Sequence, residues 1–549
     1  MILFPGVGNF GSALASLRKK GFSEPLKKYI ASGRPYMGIC IGMQALFLSS
    51  DESDEPGLGV VPAHVGVFAN ADKAVPCIGW NGASLVGDGA EYGLDSDSSY
   101  YFVHSFRVKY DADVEDWALT LTRYGDEVYV SSIQKGNVFA TQFHPEKSGK
   151  AGLDVLRRWL EQEGKVDMSK SVRRAEAAVQ ADLVRKSFTK RIVACLDVRT
   201  NDAGDLVVTK GDQYDVREAE ATPAPPPPAT SATANDASTA PSLDPPSQPA
   251  PRDVRNLGKP VDLARRYFAE GADEIAFLNI TSFRSCPLHD QPMLDVVRQS
   301  AETVFVPLTI GGGIRDTVDP DGTARSALEV AGTYFRCGAD KVSIGSDAVF
   351  AVEAMLAAGG VKTGTTGIET ISYAYGAQAL VVSIDPKRAY AASLDDVPLL
   401  HRPNTVDLAA PLPGTTKPLK TELGPNGERY CWYQCTVRGG RELRDLDVVQ
   451  LSQGVEALGA GEILLNSVDR DGSKAGFDLR LVNQVRKAVR IPVVASSGAG
   501  TVEDFEEVFD ATGVEAALAA GIFHRREVPI ADVKDHLRTA GIPVRKDLL

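Results

Sequence analysis

Three residue types that together make an activated nucleophile stand in the first third of the chain. Cys40 sits in Gly38-Ile-Cys40-Ile-Gly42, after the strand-like Pro35-Tyr-Met-Gly and before the helical Met43-Gln-Ala-Leu-Phe-Leu. This is a glycine-flanked elbow with cysteine at the nucleophile position. Such a turn needs glycines because neighbouring backbone passes close to the reactive atom. A helix that begins just behind the sulfur stabilises its thiolate. About 100 residues later comes Thr141-Gln-Phe-His144-Pro-Glu146-Lys147. A histidine and a glutamate two apart at a strand end point the same way: His144 takes the thiol proton and Glu146 orients the imidazole. Each motif alone is weak, since a lone Cys or His is more often structural. Together, in this order, they make a much stronger case for nucleophilic catalysis by cysteine.

A second set belongs to the rest of the chain. Asp197 and Asp385 each end an apolar run, Ile-Val-Ala-Cys-Leu-Asp197 and Leu-Val-Val-Ser-Ile-Asp385, 188 positions apart. Two carboxylates brought face to face suit general acid and general base work. Glycine-rich turns come in pairs. Gly312 and Gly313, with Gly345-Ser346, form one pair, and Gly498 with Ala520-Gly521 forms the other. Glycine lets backbone N–H groups converge on a phosphate. Two such sites suggest a long substrate with a phosphate at each end. Lys210 reaches the same region from Val207-Val-Thr-Lys-Gly. Close strand–helix packing is the plainer explanation of any one glycine.

The elements that must position these residues follow from a repeat. Gly271-Ala-Asp-Glu-Ile matches Gly459-Ala-Gly-Glu-Ile, again 188 apart, and further pairs bring the count to four strands per half. Strands are expected near 191–197, 274–279, 304–310, 340–344, 379–385, 462–467, 491–496 and 515–520, with helical patterns between several of them. Eight strands alternating with helices in two similar halves point to a (β/α)8 barrel; a doubly wound sheet is the competitor. Strand ends would then place Asp197 and Asp385 opposite each other at the barrel mouth. Arg191, Glu274, Lys341 and Glu462 begin four of the strands, with charges alternating in sign around the other face. Their plainest role is a ring of salt bridges closing the barrel floor.

Domain limits follow from composition. Residues 1–164 form an α/β unit with an open parallel sheet, residues 165–186 a solvated linking helix, and residues 187–549 the barrel. Ten of the 32 prolines lie between Pro223 and Pro251, so residues 217–254 are expected to be a disordered insertion. A second insertion spans 387–430. Cys431-Trp-Tyr-Gln-Cys435 has no second Cys or His pair nearby and is expected to be strand, not a zinc site.

The chain has 549 residues and a formal charge of −13. An acidic balance argues against binding nucleic acid or an anionic membrane. No run of about 18 apolar residues suggests a membrane span. Seven scattered cysteines do not make a disulfide framework and point to a reducing, intracellular setting, cytoplasmic or within an organelle. No metal or cofactor is implied.

Gly38-Ile-Cys-Ile-Gly-Met-Gln44 with Phe143-His-Pro-Glu146 resembles the class I glutamine amidotransferases, which hydrolyse glutamine and release ammonia. The resemblance implies Cys40, His144 and Glu146 as the triad. It further implies that Gln44 and the stretch Tyr101–Phe106, Ser105 included, contact glutamine. The Pro5-Gly6-Val7-Gly8 loop would supply oxyanion N–H groups. Domains of that family begin with roughly one more βαβ unit than is present before Pro5, so the domain is expected to be N-terminally shortened. Residues 187–549 resemble the cyclase of the imidazole glycerol phosphate synthase family of histidine biosynthesis. The match rests on Ala194-Cys-Leu-Asp197, Val207-Val-Thr-Lys-Gly211, Ile310-Gly-Gly-Gly-Ile-Arg315, Asp340–Gly345, Leu464–Ser473 and Ala495–Gly500. One chain with both parts resembles the fused fungal and plant form.

That resemblance implies a cyclase with built-in glutaminase acting on a bis-phosphorylated phosphoribulosyl-formimino carboxamide ribonucleotide. Asp197 and Asp385 would be the acid/base pair. Asp471-Gly472, Gly498 and Ala520-Gly521 would hold one phosphate, and Gly312, Gly313, Gly345 and Ser346 the other. Arg191, Glu274, Lys341 and Glu462 would gate an ammonia path, and Lys147 and Asp340 would dock the two parts. Only small-molecule substrates are implied, and a monomeric bifunctional chain. Two other readings stand beside it. A sugar-phosphate isomerase would share the barrel but has no use for ammonia. An ammonia-dependent cyclase carrying an inactive, regulatory glutaminase-like module would respond to ammonium and not to glutamine.

Overall fold

A computed structural model describes residues 1–87, 92–95, 97–163, 174–200, 206–209, 257–280, 291–319, 321–412 and 422–546. Lys210 and the expected proline-rich insertion at 217–254 lie outside the described residues.

In the first part the strands Ile2–Phe4, Tyr36–Ile39 and Val138–Thr141 run parallel, with Gly38 paired to Phe4 on one side and to Ala140 on the other. Tyr36–Ile39 is buried along its whole length, as a strand covered on both faces must be. Beyond Val138–Thr141 the sheet turns antiparallel through Glu127–Lys135, Ala118–Tyr124 and Phe106–Lys109. The expected open sheet is present and is mixed rather than wholly parallel. Ile2–Phe4 forms its edge, with Leu3 exposed. A separate hairpin pairs Cys77–Gly82 with Ser99–His104.

The second part closes into a barrel. Its eight parallel strands are Arg191–Thr200, Glu274–Asn279, Leu308–Gly311, Lys341–Ile344, Leu380–Ile384, Glu462–Leu465, Val493–Ala495 and Ala516–Ala519. The last pairs with the first, Arg191 against Ala516, which removes both sheet edges. Strands three and seven start later than expected, after Pro307 and Pro492, residues with no N–H to give to a ladder. Strand one runs past Asp197 to Thr200 and pairs there with Leu206–Val208. Asp197 therefore lies inside its strand, not at its end.

Side chains alternate along a strand, so Arg191, Val193, Cys195 and Asp197 share the inward face. This carries the lumen from a charged floor to an acidic mouth over about 20 Å. Between them the lumen is apolar, filled by Val193, Cys195, Ala276, Val381, Leu464 and Val494 among others.

The described linking helix is Glu176–Arg185, and it is not simply solvated. Val179 and Leu183 are buried in the core of the first part, and Arg174 pairs with Asp182 at 2.7 Å and donates to the Leu85 carbonyl. The two parts pack together, as the expected docking requires: Ile78, Trp80, Tyr101 and Val103 of the first part lie in the same buried cluster as the barrel shell.

The second insertion is larger than 387–430. Pro386–Ala391, Val406–Asp407, Tyr430–Val437 and Glu442–Asp447 make one four-stranded antiparallel sheet. Cys431 and Cys435 lie on its Tyr430–Val437 strand, buried. Among the described residues no helix is long and apolar enough to cross a membrane.

Candidate functional site

Cys40 follows directly on strand Tyr36–Ile39 and precedes the turn of helix Ile41–Gln44. Its φ of 52° is one that a side-chain-bearing residue rarely holds. The flanking glycines make that possible. A Cβ on Gly42 would lie 1.9 Å from the Phe4 carbonyl oxygen, and one on Gly38 would lie 2.5 Å from that of Gly42. The amide of Cys40 donates to Thr141 O at 2.7 Å, which ties the elbow to the strand leading into His144.

His144 Nδ1 lies 2.8 Å from Glu146 Oε1. With that nitrogen donating to the carboxylate, Nε2 faces the thiol. Burial disfavours a charged imidazole, but Glu146 and then Cys40 outweigh it and hold the His144 pKa well above its usual value. Burial likewise opposes charge on Glu146, and His144 reverses the balance, so this carboxyl stays below the usual range. Nε2 of His144 makes no hydrogen bond of ordinary geometry, yet it is close enough to Cys40 for the sulfur to favour the charged imidazole. The arrangement is a cysteine beside an imidazole that a buried carboxylate orients.

The other residues assigned to this site lie around it with different tasks. The Gln44 amide donates to Gln142 Oε1 at 2.9 Å and to Phe106 O at 3.2 Å, and Gln142 donates to Cys40 Sγ at 3.5 Å. Gln44 thus positions Gln142 against the sulfur. Ser105 lies between strands Ser99–His104 and Phe106–Lys109, and its carbonyl accepts from Phe68 N. Gly6 differs from expectation: its carbonyl, not an amide, faces the elbow and accepts from Ile41 N–H at 3.4 Å. Space around Gly8 is open. Glu52 was not anticipated. Burial raises its carboxyl to about 7, although Phe10 N–H and Asn9 bond to it just after the Gly6–Gly8 loop.

The four floor residues meet as one cluster. Arg191 pairs with Glu274 at 2.7 Å and with Glu462, while Lys341 pairs with Glu274 at 2.7 Å and Glu462 at 2.5 Å. All four side chains are at most 4 % exposed. Burial alone would raise Glu274, but Lys341 and Arg191 bring it below the usual carboxylate range. The first part docks on this floor. Lys147 pairs with Asp340 at 2.8 Å, Gly149 N donates to Phe305 O, and Val75 N donates to Arg490 O. Trp80 donates from its indole to Asp273 O at 3.1 Å and lies under the Arg545 guanidinium, 4.2 Å away. Tyr101 spans the distance: its carbonyl accepts from His144 N, and its buried hydroxyl feels Glu274, Arg191 and Glu462. The triad and the barrel floor are therefore neighbours.

At the mouth, Asp385 is half-buried and its carboxyl is raised, chiefly by desolvation; Asn466, donating at 2.6 Å, opposes the rise and Asp471 adds to it. Asp197 Oδ1 accepts a long contact from the Cys195 thiol at 3.8 Å. Asp471, Gly472, Gly498, Ala520 and Gly521 line one cavity of about 70 Å³, together with Lys474 and Arg525. A Cβ on Gly498 would meet Gly476 O at 2.2 Å, so only glycine fits there. In the other half, Gly312 and Gly313 take φ of 97° and 76° beyond strand three, beside Gly345 at the start of helix Ser346–Ala357. Ser346 Oγ accepts from Arg438 N–H of the insertion.

Gln142 and Asn466 were legible as polar residues inside quoted motifs, Thr141-Gln-Phe-His and Leu-Leu-Asn-Ser, without an assigned task. Lys474 and Arg525 carried no periodic signal. Arg545 lies near the C-terminus in sequence, far from every motif.

Residues 1–162 match the class-I glutamine amidotransferase family and residues 250–529 the family described as histidine biosynthesis protein. Strand one precedes the second match. The chain is 51% identical to the imidazole glycerol phosphate synthase hisHF of Emericella nidulans over 556 residues, covering 99% of this chain and 92% of that protein. It is 51% identical to the Schizosaccharomyces pombe protein of the same name, with the same coverage. It is 51% identical to the chloroplastic hisHF of Arabidopsis thaliana, covering 83% of that protein. Similarity to a separate HisF subunit, 42% identical in Thermobifida fusca, covers 54% of this chain.

Proposed function

The chain belongs to the imidazole glycerol phosphate synthase family in its fused form, and from this premise we propose how its two sites divide the work. Cys40 attacks the carboxamide carbon of glutamine. His144 gives its proton to the departing ammonia, a thioester forms, and water hydrolyses it to glutamate. The Ile41 N–H serves the oxyanion only once its bond to Gly6 O opens, so the state described is a resting one. The ring bounded by Arg191, Glu274, Lys341 and Glu462 gates the passage of ammonia into the apolar lumen, where nothing protonates it. Lys147 and Asp340 align the parts.

At the mouth, ammonia joins the bis-phosphorylated phosphoribulosyl-formimino carboxamide ribonucleotide, giving imidazole glycerol phosphate and an aminoimidazole carboxamide ribotide. Asp385, whose carboxyl is raised, is the proton donor of the pair and Asp197 the acceptor. Asp471, Gly472, Gly498, Ala520 and Gly521 hold one phosphate; Gly312, Gly313, Gly345 and Ser346 hold the other, and Lys210 is assigned to substrate binding. A cytoplasmic setting and a monomeric chain complete the reading. The six described cysteines are all thiols, in keeping with a reducing compartment.

The observation that carries this reading is the stacking of the sites along one axis: triad, charged floor, apolar lumen and paired aspartates. Replacement of Asp385 by Asn tests it. Product formation should fall by at least about 100-fold with glutamine and with ammonium alike, while glutamine hydrolysis persists. Retained cyclisation would remove Asp385 from the chemistry.

A further inference from the structure

Glu422 belongs to the second insertion, yet its carboxylate reaches the barrel mouth. One oxygen accepts from Arg388 Nη2 at 3.0 Å and the other from Arg470 Nη2. Arg388 lies three residues beyond Asp385 and also binds Asp478 at 2.8 Å, while its backbone N–H donates to Asp469. Arg470 lies between Asp469 and Asp471, and its Cβ would be 3.3 Å from a Cβ on Gly498. Its other side-chain bond, to Ala475 O, stays within the same loop. Arg388 thus keeps Asp478 whatever Glu422 does, whereas Arg470 depends on Glu422 for its carboxylate. The two arginines are 6 % and 16 % exposed, and Glu422 is 37 % exposed. A half-open carboxylate bridging two largely buried cations fixes their separation.

We propose that Glu422 is a positioning residue for substrate binding, holding the loop Ser467–Ala475 through Arg470 so that Asp471 and Gly472 face the phosphate cavity. The bridge joins the segment after Asp385 to the segment that carries Asp471, so both sides of the mouth are set from one carboxylate. The effect is on binding: the loop is preorganised before the phosphate arrives. The inference rests on the reading of that cavity as a phosphate site.

The test uses ammonium-dependent cyclisation by the full chain, with the bis-phosphorylated substrate varied. Glu422→Ala and Glu422→Gln should each raise its KM roughly fivefold, the scale of a partly exposed ion pair, with kcat within about twofold. Glu422→Asp should recover most of the loss, and glutamine hydrolysis should stay unchanged in all three. A general loss of structure would lower kcat and glutaminase together and would not be rescued by Asp, which would overturn the proposal. Unchanged KM in both Ala and Gln variants would also overturn it. Arg525→Gln, which removes a cation lining the cavity, separates the two claims: raised KM there with normal KM in the Glu422 variants rejects the positioning role alone, whereas normal KM in all of them rejects the cavity reading itself.

Discussion

Removing the Lys341 ammonium from the barrel floor, as in Lys341→Met, leaves Glu274 and Glu462 sharing Arg191 alone. The cluster goes from two cations and two anions to a net charge of −1, in side chains that are at most 4 % exposed. Breaking a buried pair from one side costs about 3–5 kcal/mol, because the remaining charge is neither paired nor hydrated. The pH dependence should change sign as well. In the wild type Lys341 and Arg191 depress Glu274; its contribution to stability is present above the unfolded carboxyl range and is lost as pH falls through the depressed value. In the variant the stronger of these two influences is gone and burial raises Glu274. Its contribution is then present below the unfolded range and is lost as pH rises through the new value.

Urea unfolding at pH 5.5 and pH 8 reads both effects. The variant should be destabilised more at pH 8. Lys341→Met combined with Glu274→Gln restores charge balance and should regain about 1–3 kcal/mol over the single variant. In assays, Lys341→Met should hydrolyse more glutamine per product formed, while cyclisation from ammonium is better preserved. A single-variant cost under about 1 kcal/mol, or strictly additive effects in the double variant, would refute the floor as one electrostatic unit. Equal loss of coupled and ammonium-dependent activity would refute its role as a gate.

Gly42→Ala would press a methyl group against the Phe4 carbonyl at 1.9 Å; glutaminase should fall by about 100-fold or more as the elbow shifts, with ammonium-dependent cyclisation retained, and loss of both would contradict the division of sites. Glu52, raised to about 7 in the fold, holds more proton than an unfolded carboxyl between about pH 4.5 and 7. Its contribution to stability is therefore present below pH 4.5 and lost as pH rises through 7, a change on the order of 3 kcal/mol. Thermal unfolding of Glu52→Gln should show a flatter fall across that window, and a slope equal to wild type would contradict the assignment.

Much of this architecture was legible because it is periodic. The 188-residue repeat set the eight strands and paired Asp197 with Asp385, and alternation along strand one placed Arg191 and Asp197 on one inward face. What escaped was what periodicity does not encode. Arg545 reaches Trp80 only because the chain folds back across the barrel floor, and Glu422 reaches Arg470 only because an insertion returns over the mouth. The reversed Gly6 peptide is a choice of backbone dihedral that glycine leaves open. The linking helix reads as solvated because its sequence is polar and helix-favouring, and the two residues it buries, Val179 and Leu183, are too few to make a stripe. The expected strand limits drifted at Pro307 and Pro492, where hydrophobicity continues but hydrogen bonding does not.

The central claim is that one chain holds two separable sites joined by an internal ammonia path. Cys40→Ala tests it most directly, with imidazole glycerol phosphate formation followed in parallel from glutamine and from ammonium. The account predicts loss of the glutamine-dependent rate with the ammonium-dependent rate close to wild type. Glutamine-dependent synthesis that survives the substitution, or loss of both rates in a folded variant, would contradict it.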